Sequence, residues 1–351
     1  KVTSEYCDES QRTPTNFSVI HLGKLDAGEL EPVQDICFGD SRTLAFQADF
    51  PTGADNDNLG YEYQWQVSET ILNEDFEDIE DATDDPTYTI QYNQELLEDE
   101  TKYYRCKVTS NYCNNEIDST SNNFSVTKLS IIDPGSLIEI EAPICYNEEV
   151  ELGFFDGDGP HGSDDEEPND IEDYTYQWKE SINGEDGPFD PIVGEISDTY
   201  TFTYNNESTE KETRWYLCEV TSEYCADFNS SDETGPISVE FLPQLDPGEL
   251  IEVSDPICFN ETITLSFSGV GPQGSDDEEP NNFSDYTYQW QRSEVLVYIP
   301  FDIDDTFENI EGETSEEIEI TNENESSDDK TYYYRCVVTS TYCPNETLDT
   351  S

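Results

Sequence analysis

Tyr63-Gln64-Trp65 is the segment that decides the fold, because the same three residues recur twice more in the chain of 351 residues. The later copies are Tyr176-Gln177-Trp178 and Tyr288-Gln289-Trp290, which place the three tryptophans 113 and 112 residues apart. In each copy a Tyr-x-Cys triplet follows, with its cysteine 41, 40 or 46 residues after the tryptophan. A unit of this length exceeds the period of solenoid repeats and is large enough to fold as a domain with its own core.

Three other phrases recur in every unit: an Asp-x-Gly opening, an Ile-Cys pair and a closing Cys-x-Val-Thr-Ser-x-Tyr-Cys phrase. They begin at Asp26, Asp133 and Asp246; at Ile36, Ile144 and Ile257; and at Cys106, Cys218 and Cys336. The phrases predict domains at residues 25–131, 132–244 and 245–351, the last without its final strand. Residues 1–24 match the end of a preceding repeat. Two explanations stay open: a piece of a longer array, which the extra closing phrase at Val2–Cys7 favours, or donation of residues 16–22 to a neighbouring chain.

Short alternating runs between turn residues predict strands, and a long apolar period of 3.6 residues is missing from the sequence. The runs in the first repeat are 43–47, 61–67, 88–92, 102–110 and 123–129. About seven strands per repeat, a central Trp65 and a Tyr104 two residues before Cys106 are typical of an immunoglobulin-like β-sandwich. The predicted fold class is therefore all-β, with tandem sandwiches in an elongated array. The usual second-strand cysteine is replaced by Phe46, Phe154 and Phe267, so the usual inter-sheet disulfide is not expected.

An Ile-x-Gly element completes the pattern at Ile192-Val193-Gly194 and Ile310-Glu311-Gly312, with Ile79-Glu80-Asp81 in the first repeat. This succession of motifs resembles the tandem immunoglobulin-like (PKD/Ig-like) repeats of giant cell-surface adhesins from Bacteroidota-type bacteria, including gliding-motility adhesins that form surface filaments. The resemblance covers almost the whole chain. It implies an extracellular, cell-surface location, export through the secretion system that serves such adhesins, and a role in adhesion or gliding.

The charge balance excludes several classes of partner. The 83 acidic residues outnumber the 14 basic ones and leave a formal net charge of −69. Such a chain cannot hold a nucleic-acid backbone by counterion release, and anionic lipid repels it. Direct membrane insertion is not expected either, because none of the apolar runs approaches the ~20 residues that a spanning helix needs. Aromatic residues make up 12% of the chain, which argues against the disorder that strong charge otherwise suggests.

The ten cysteines are the strongest candidates for functional residues. They comprise Cys7 and three per repeat: Cys37, Cys106, Cys113, Cys145, Cys218, Cys225, Cys258, Cys336 and Cys343. With two histidines and no Cys-x-x-Cys pair, the chain favours disulfides in an oxidising compartment over a metal site. Two pairings stay open. Either the first cysteine of one domain bonds the last cysteine of the next, as in Cys37–Cys225 and Cys145–Cys343, or Cys37 bonds Cys106 within one domain.

Acidic loops before the second and third tryptophans suggest calcium as the one candidate cofactor, because clustered carboxylates are the ligands that Ca²⁺ prefers. The candidate ligands are Asp156, Asp158, Asp164, Asp165, Glu166, Glu167, Asp276, Asp277, Glu278 and Glu279. The alternative is a solvated acidic surface, since the twelve-residue pattern of an EF-hand loop is missing. Calcium at a domain junction would stiffen it and relieve charge repulsion.

Asn-x-Ser/Thr sequons mark candidate glycosylation sites. They lie at Asn16, Asn123, Asn206, Asn229, Asn260, Asn282, Asn324 and Asn345. Enzyme activity is not expected. His21 and His161 fall at unrelated positions of the repeats, so a repeated nucleophile–histidine pair is missing, and a glycine-rich phosphate loop is missing too.

The expected function is structural: reach, stiffness and display in a long extracellular adhesin or filament. The expected partners are neighbouring repeats of the same chain, other copies in a filament, and extracellular polysaccharide. Two alternatives stay open. One is a polysaccharide-binding module that uses the loops before the tryptophans and the Cys113-type hairpins, and the other is a surface-layer or sheath protein of a halophile.

Overall fold

A computed structural model of the chain describes residues 18–48, 50–55, 60–113, 116–120, 124–164, 171–228, 230–269, 271–276, 282–294 and 307–350. The chain divides into two compact units, Lys1–Ile131 with Gly162–Glu166, and Ile132–His161 with Glu167–Ser351. The first unit contains one hydrophobic core. The second contains two, one drawn from residues 132–241 and one from residues 245–338. Each core therefore falls within one of the predicted repeats.

The first unit is built from two antiparallel sheets. Its strands are β1 (Ser41–Leu44), β2 (Tyr61–Ser68), β3 (Glu77–Thr83), β4 (Tyr88–Gln91), β5 (Glu100–Ser110), β6 (Ile117–Ser119) and β7 (Phe124–Lys128). The larger sheet has the order β3-β2-β5-β6, and β7 also pairs with β5; the smaller sheet joins β1 to β4. Leu44 and Ile90 from the smaller sheet and Trp65 from the larger one share one core, which makes the unit a β-sandwich.

The second unit repeats this arrangement twice. Its first set of strands is β8 (Glu149–Leu152), β9 (Tyr174–Ser181), β10 (Asp190–Pro191), β11 (Tyr200–Thr203), β12 (Glu212–Ser222), β13 (Ser231–Glu233) and β14 (Ile237–Phe241). Its second set is β15 (Thr262–Leu265), β16 (Tyr286–Ser293), β17 (Glu308–Asn309), β18 (Ile318–Thr321), β19 (Tyr333–Ser340) and β20 (Thr347–Asp349). The sheets are β10-β9-β12-β13 with β14 on β12, β8-β11, β17-β16-β19-β20 and β15-β18.

The repeated tryptophan is the centre of each sandwich. Trp65, Trp178 and Trp290 are completely buried. Trp65 packs against Phe46 and Tyr88, with ring centroids 6.1 and 5.9 Å apart, and its Nε1 donates to the carbonyl of Asp85 at 3.1 Å. Because the indole N–H has a partner, the ring can be buried without leaving a polar group unpaired. Removal of such a core aromatic typically costs ~3–5 kcal/mol.

The glutamine before each tryptophan explains why the Ile-x-Gly element accompanies it. Gln64 Nε2 donates to the carbonyl of Ile79 at 3.0 Å and to that of Trp65 at 3.0 Å. Gln177 and Gln289 make the same bonds to the carbonyls of Ile192 and Ile310, at 2.9 and 3.0 Å. The amide of each glutamine therefore ties a loop to the strand that carries the tryptophan.

The predicted fold class is confirmed: within the described ranges the chain is all-β and made of tandem immunoglobulin-like sandwiches. The described helices are four 3₁₀ turns of three residues each. In the first unit the hydroxyls of Tyr92 and Tyr61 donate to the backbone, to the carbonyls of Leu129 at 2.7 Å and Gly53 at 2.8 Å. In the part of the chain that the structure describes, we find no helix of sufficient length and hydrophobicity to span a bilayer.

Candidate functional site: a cross-linked junction

The second unit contains a covalent link between its two cores. A disulfide joins Cys145 to Cys343 across 198 residues of sequence, with the two Cα atoms 5.8 Å apart. Cys145 is the cysteine of the Ile-Cys motif in the second repeat, and Cys343 ends the closing phrase of the third. This is one of the two inter-domain bonds that the spacing predicted, and it is present in the structure.

A glutamate three residues after Cys343 adds a polar clasp to the disulfide. Glu346 Oε1 accepts the backbone N–H of Tyr146 at 2.9 Å. Its Oε2 accepts the backbone N–H of Leu245 at 3.0 Å and the hydroxyl of Ser275 at 2.5 Å. Hydrogen bonds to a charged acceptor are about twice as strong as neutral ones. One carboxylate therefore connects Tyr146 of the second repeat with the first residue and the acidic loop of the third repeat.

The acidic loop of the third repeat begins as a buried turn at this junction. Ser275 is fully buried, has a φ of 53°, and donates its N–H to the carbonyl of Pro243 at 2.9 Å. Gly274 precedes it with a φ of 79°, and a Cβ there would lie 2.3 Å from the carbonyl oxygen of Gln244. Ser340 Oγ in turn donates to the carbonyl of Ser275 at 2.5 Å. The start of this loop has a structural role.

The same turn exists in the first unit, where no recurring motif predicts it. Gly53 and Ala54 have φ values of 79° and 48°, and Ala54 is buried. Ser110 Oγ donates to the carbonyl of Ala54 at 2.5 Å, as Ser340 does to Ser275. Glu116 Oε2 accepts the N–H of Leu25 at 3.0 Å, as Glu346 does from Leu245. The only sequence signal for the two glutamates was their position, three residues after a cysteine.

The candidate calcium ligands are only partly described. Asp156 and Asp158 are exposed, whereas Asp164 and Asp276 are buried with 6% and 4% exposure. Asp165, Glu166, Glu167, Asp277, Glu278 and Glu279 lie outside the described residues. Within the described ranges, no three His, Cys, Asp or Glu side chains are grouped closely enough to hold a metal ion. Calcium stays a prediction.

Four described cysteines are oxidised and five are free. Cys37 and Cys225 are disulfide-bonded, as are Cys145 and Cys343. Cys106, Cys113, Cys218, Cys258 and Cys336 are free thiols, so their proposal as disulfide partners was wrong for this structure. The alternative Cys37–Cys106 bond was wrong as well. Cys7 lies outside the described residues.

The buried thiols are free because their neighbours are aromatic. Cys106 lies opposite Trp65 in the β2–β5 pairing, and Cys218 and Cys336 lie opposite the other two core tryptophans. Phenylalanine stands where a sandwich usually carries the second cysteine, and each sulfur donates only weakly to the next carbonyl, at 3.6–3.8 Å. Burial raises the pKa of each of these thiols to about 12, which suppresses the reactive thiolate.

One of the eight sequons was wrong as a glycosylation site. Asn206 is completely buried, and its Nδ2 donates to the carbonyls of Glu210 at 2.8 Å and Phe241 at 3.0 Å. A glycan on that nitrogen would break these bonds. Asn260, Asn282 and Asn345 are exposed, and Asn324 is half-buried. Asn16, Asn123 and Asn229 lie outside the described residues.

Comparison with known proteins leaves the family open. A family model described as a domain of unknown function (DUF8696) matches residues 26–128, which lie within the first predicted repeat. No curated protein matches this chain. Because the match covers less than half of the chain, it shows similarity to this family over the first repeat alone.

Several solved structures are similar to this chain at low sequence identity. The FN1–FN3 domains of chicken CNTN1 match at 10% identity and a TM-score of 0.27, over 93% of this chain and 98% of that chain. The ICAM-5 D1–D4 ectodomain fragment matches at 13% and 0.31, over 94% and 73%. A structure described as relating to host cell surface retention of a 1.5-MDa bacterial ice-binding adhesin matches at 12% and 0.34, over 95% and 96%. With TM-scores below 0.5, none of these similarities identifies a function.

Proposed function

We propose that this chain is a structural repeat segment of a long extracellular adhesin or filament on a cell surface, with gliding motility as the specific setting that its motifs suggest. The observation that carries the proposal is the junction formed by the Cys145–Cys343 disulfide and the Glu346 clasp. Domains in one chain move relative to each other by default unless their interface is large and apolar. A covalent bond and a shared carboxylate restrict that motion, as a load-carrying array requires.

An extracellular location fits the same residues. Disulfides persist in oxidising compartments and are rare in the cytosol, and this chain has four disulfide-bonded cysteines. The net charge of −69 keeps copies apart and solvated. Unpaired strand edges would otherwise risk pairing with other chains. The chemistry therefore suits a surface segment that resists aggregation. Its negative charge favours the binding of cations over that of anionic partners.

A mechanical experiment tests this role. The chain carries Cys37→Ser and Cys225→Ser in every sample, because both cysteines are disulfide-bonded and would otherwise withhold length of their own. It is stretched from its two ends in single-molecule force spectroscopy, with and without reductant. Because the Cys145–Cys343 bond closes a loop with a separation of 198 residues, it should withhold roughly 700 Å of contour length at about 3.6 Å per residue. Reduction should release that length. The exposed free thiol offers the matched control: Cys258→Ser should leave the withheld length unchanged, whereas Cys145→Ser with Cys343→Ser should abolish it.

Experiments on cells distinguish the structural role from the alternative role in polysaccharide binding. Antibodies raised against this chain should label intact, unpermeabilised source cells, and deletion of the repeats should reduce adhesion. Equal contour lengths in the oxidised and reduced chains would remove the mechanical role. Specific binding of the chain to arrayed polysaccharides, combined with normal adhesion after substitution of Cys145 and Cys343, would favour the polysaccharide-binding module instead.

A further inference from the structure

Cys258 lies in the third repeat at the position that Cys145 occupies in the second repeat, where Cys145 takes part in the junction. The N–H of Cys258 donates to Glu261 Oε2 at 2.8 Å, as the N–H of Cys145 does to Glu148 Oε2 at 2.9 Å. The residues between each pair, Asn260 and Asn147, both have a φ of 62°. The two cysteine turns therefore have the same local geometry, although one thiol is bonded and the other is free and exposed.

Phe259, the residue after Cys258, is exposed, whereas its counterpart Tyr146 is hydrogen-bonded in the junction. Tyr146, which follows Cys145, is half-buried and donates its N–H to Glu346. Phe259, which follows Cys258, is 54% exposed, and its N–H has no acceptor among the described residues. Ile251 and Val253 nearby in the sequence are 54% and 45% exposed. The third repeat thus presents a thiol, an aromatic ring and an open N–H donor together.

Cys113 lies in the first unit at the position that Cys343 occupies in the third repeat, on the other side of the junction. Its N–H donates to Ser110 Oγ at 2.7 Å, as the N–H of Cys343 does to Ser340 Oγ at 2.9 Å. Glu116 Oε2 is occupied by the N–H of Leu25, while its Oε1, the atom that in Glu346 accepts Tyr146, accepts nothing from the described residues. Tyr112, the counterpart of Tyr342, is 46% exposed.

These two surfaces complement each other as the halves of the observed junction do. Resting on the proposed structural role, we propose that Cys258 of one copy and Cys113 of a second copy form a further staple and join copies of the chain head to tail. Phe259 N–H of the first copy would donate to Glu116 Oε1 of the second. Because the contact joins two different patches, each copy keeps one free patch, and the assembly can grow as an open filament.

The covalent step needs an oxidant, and a small-molecule disulfide such as oxidised glutathione supplies it. The thiolate of the exposed Cys258 attacks one sulfur of glutathione disulfide and releases one reduced glutathione. The thiolate of Cys113 then attacks the Cys258 sulfur of the mixed disulfide and releases the second. Two protein thiols lose two protons and two electrons, which appear in the two thiols of reduced glutathione.

The test uses the full chain with Cys7→Ser in every sample, so that this cysteine cannot contribute. In a glutathione redox buffer, the parent should give a ladder of oligomers on non-reducing gels and in light scattering. Cys113→Ser alone and Cys258→Ser alone should stay monomeric, because each lacks one half. An equal mixture of the two variants should give dimers only, and peptide mapping should find Cys113 joined to Cys258.

Three results would overturn the proposal: no ladder from the parent, dimers from either variant alone, or cross-links through the buried thiols Cys106, Cys218 or Cys336. The same peptide maps report the Cys145–Cys343 bond. If that bond is present and the Cys113–Cys258 bond is not, head-to-tail joining fails while the structural role stands. If the Cys145–Cys343 bond is itself missing, the structural role loses its basis.

Discussion

Ser275 Oγ lies 2.5 Å from Glu346 Oε2, and the hydroxyl is fully buried. The serine belongs to the turn that opens an acidic loop, and the glutamate follows the last cysteine of the same repeat. Their contact brings the loop entry and the cross-linked hairpin to one place. The loop that composition marks as a candidate metal site is therefore anchored, at its first residues, by the junction.

Glu346→Gln should destabilise the second unit by about 1–3 kcal/mol, because the amide cannot accept all three hydrogen bonds as a carboxylate does and buried donors lose their partner. Equilibrium unfolding in guanidinium measures this change. Glu323→Gln, at an exposed glutamate, removes the same charge and is the matched control. Equal stabilities for the two variants would show that the clasp contributes nothing.

Gly274→Ala should cost more than Gly312→Ala, although both glycines have similar φ values of 79° and 83°. At Gly312 a Cβ meets nothing within 4 Å, whereas at Gly274 it meets the Gln244 carbonyl at 2.3 Å. Gly312→Ala, the control, should lose about 1 kcal/mol of stability from backbone strain alone. Gly274→Ala should lose the same amount and, in addition, the free energy needed to move the loop away from the new Cβ. Thermal unfolding of both variants measures the difference in stability loss. If the turn at Gly274 is rigid, Gly274→Ala should lose more stability than Gly312→Ala.

Much of the fold was predictable because its key residues occur three times. Trp65, Gln64 and the closing cysteine phrase sit in the same strand pair in every repeat, and a pattern that recurs three times in the same order does not arise by chance. Strand β3 was missed because its Glu-Asp-Ile-Glu-Asp sequence is mostly charged. Strand β6 was missed because three residues show no periodicity.

The site was predictable where covalent geometry limits the choices. Disulfide Cα atoms lie within about 7 Å of each other, and that reach, with the strand positions, left the Cys145–Cys343 type of bond as one of two pairings. Glu346 could not be predicted, because one glutamate among 83 acidic residues does not stand out by type. Its role depends on two N–H groups that only the folded backbone brings together.

Salt should stabilise this chain. The net charge of −69 repels itself in the compact state, and the Debye length falls from about 10 Å at 0.1 M to about 3 Å at 1 M ionic strength. The melting temperature should therefore rise with sodium chloride, measured by calorimetry, and a non-ionic osmolyte of equal osmolality should raise it less. A melting temperature that falls as salt increases would contradict this.

Alkaline pH should unfold the chain through its core thiols. Burial raises the pKa of Cys106, Cys218 and Cys336 from 9.0 to about 12, so above pH 9 the unfolded state releases protons that the folded state keeps. Stability is then fully present below about pH 9 and is lost as pH rises towards 12. At about pH 10 the loss should be about 1.4 kcal/mol for each thiol.

The slope of stability against pH isolates this effect from the cost of mutation. Cys336→Ala should lower stability at neutral pH, because it leaves a small cavity, but between about pH 9 and pH 10 it should lose less than wild type does. Cys258→Ala, at an exposed thiol outside the three cores, is the matched control and should leave the slope unchanged. Burial also raises the pKa of Tyr104 and Tyr216, so phenol ionisation adds to the loss above about pH 10 in every variant. Parallel pH slopes for Cys336→Ala and wild type below that point would show that the buried thiols do not couple to folding.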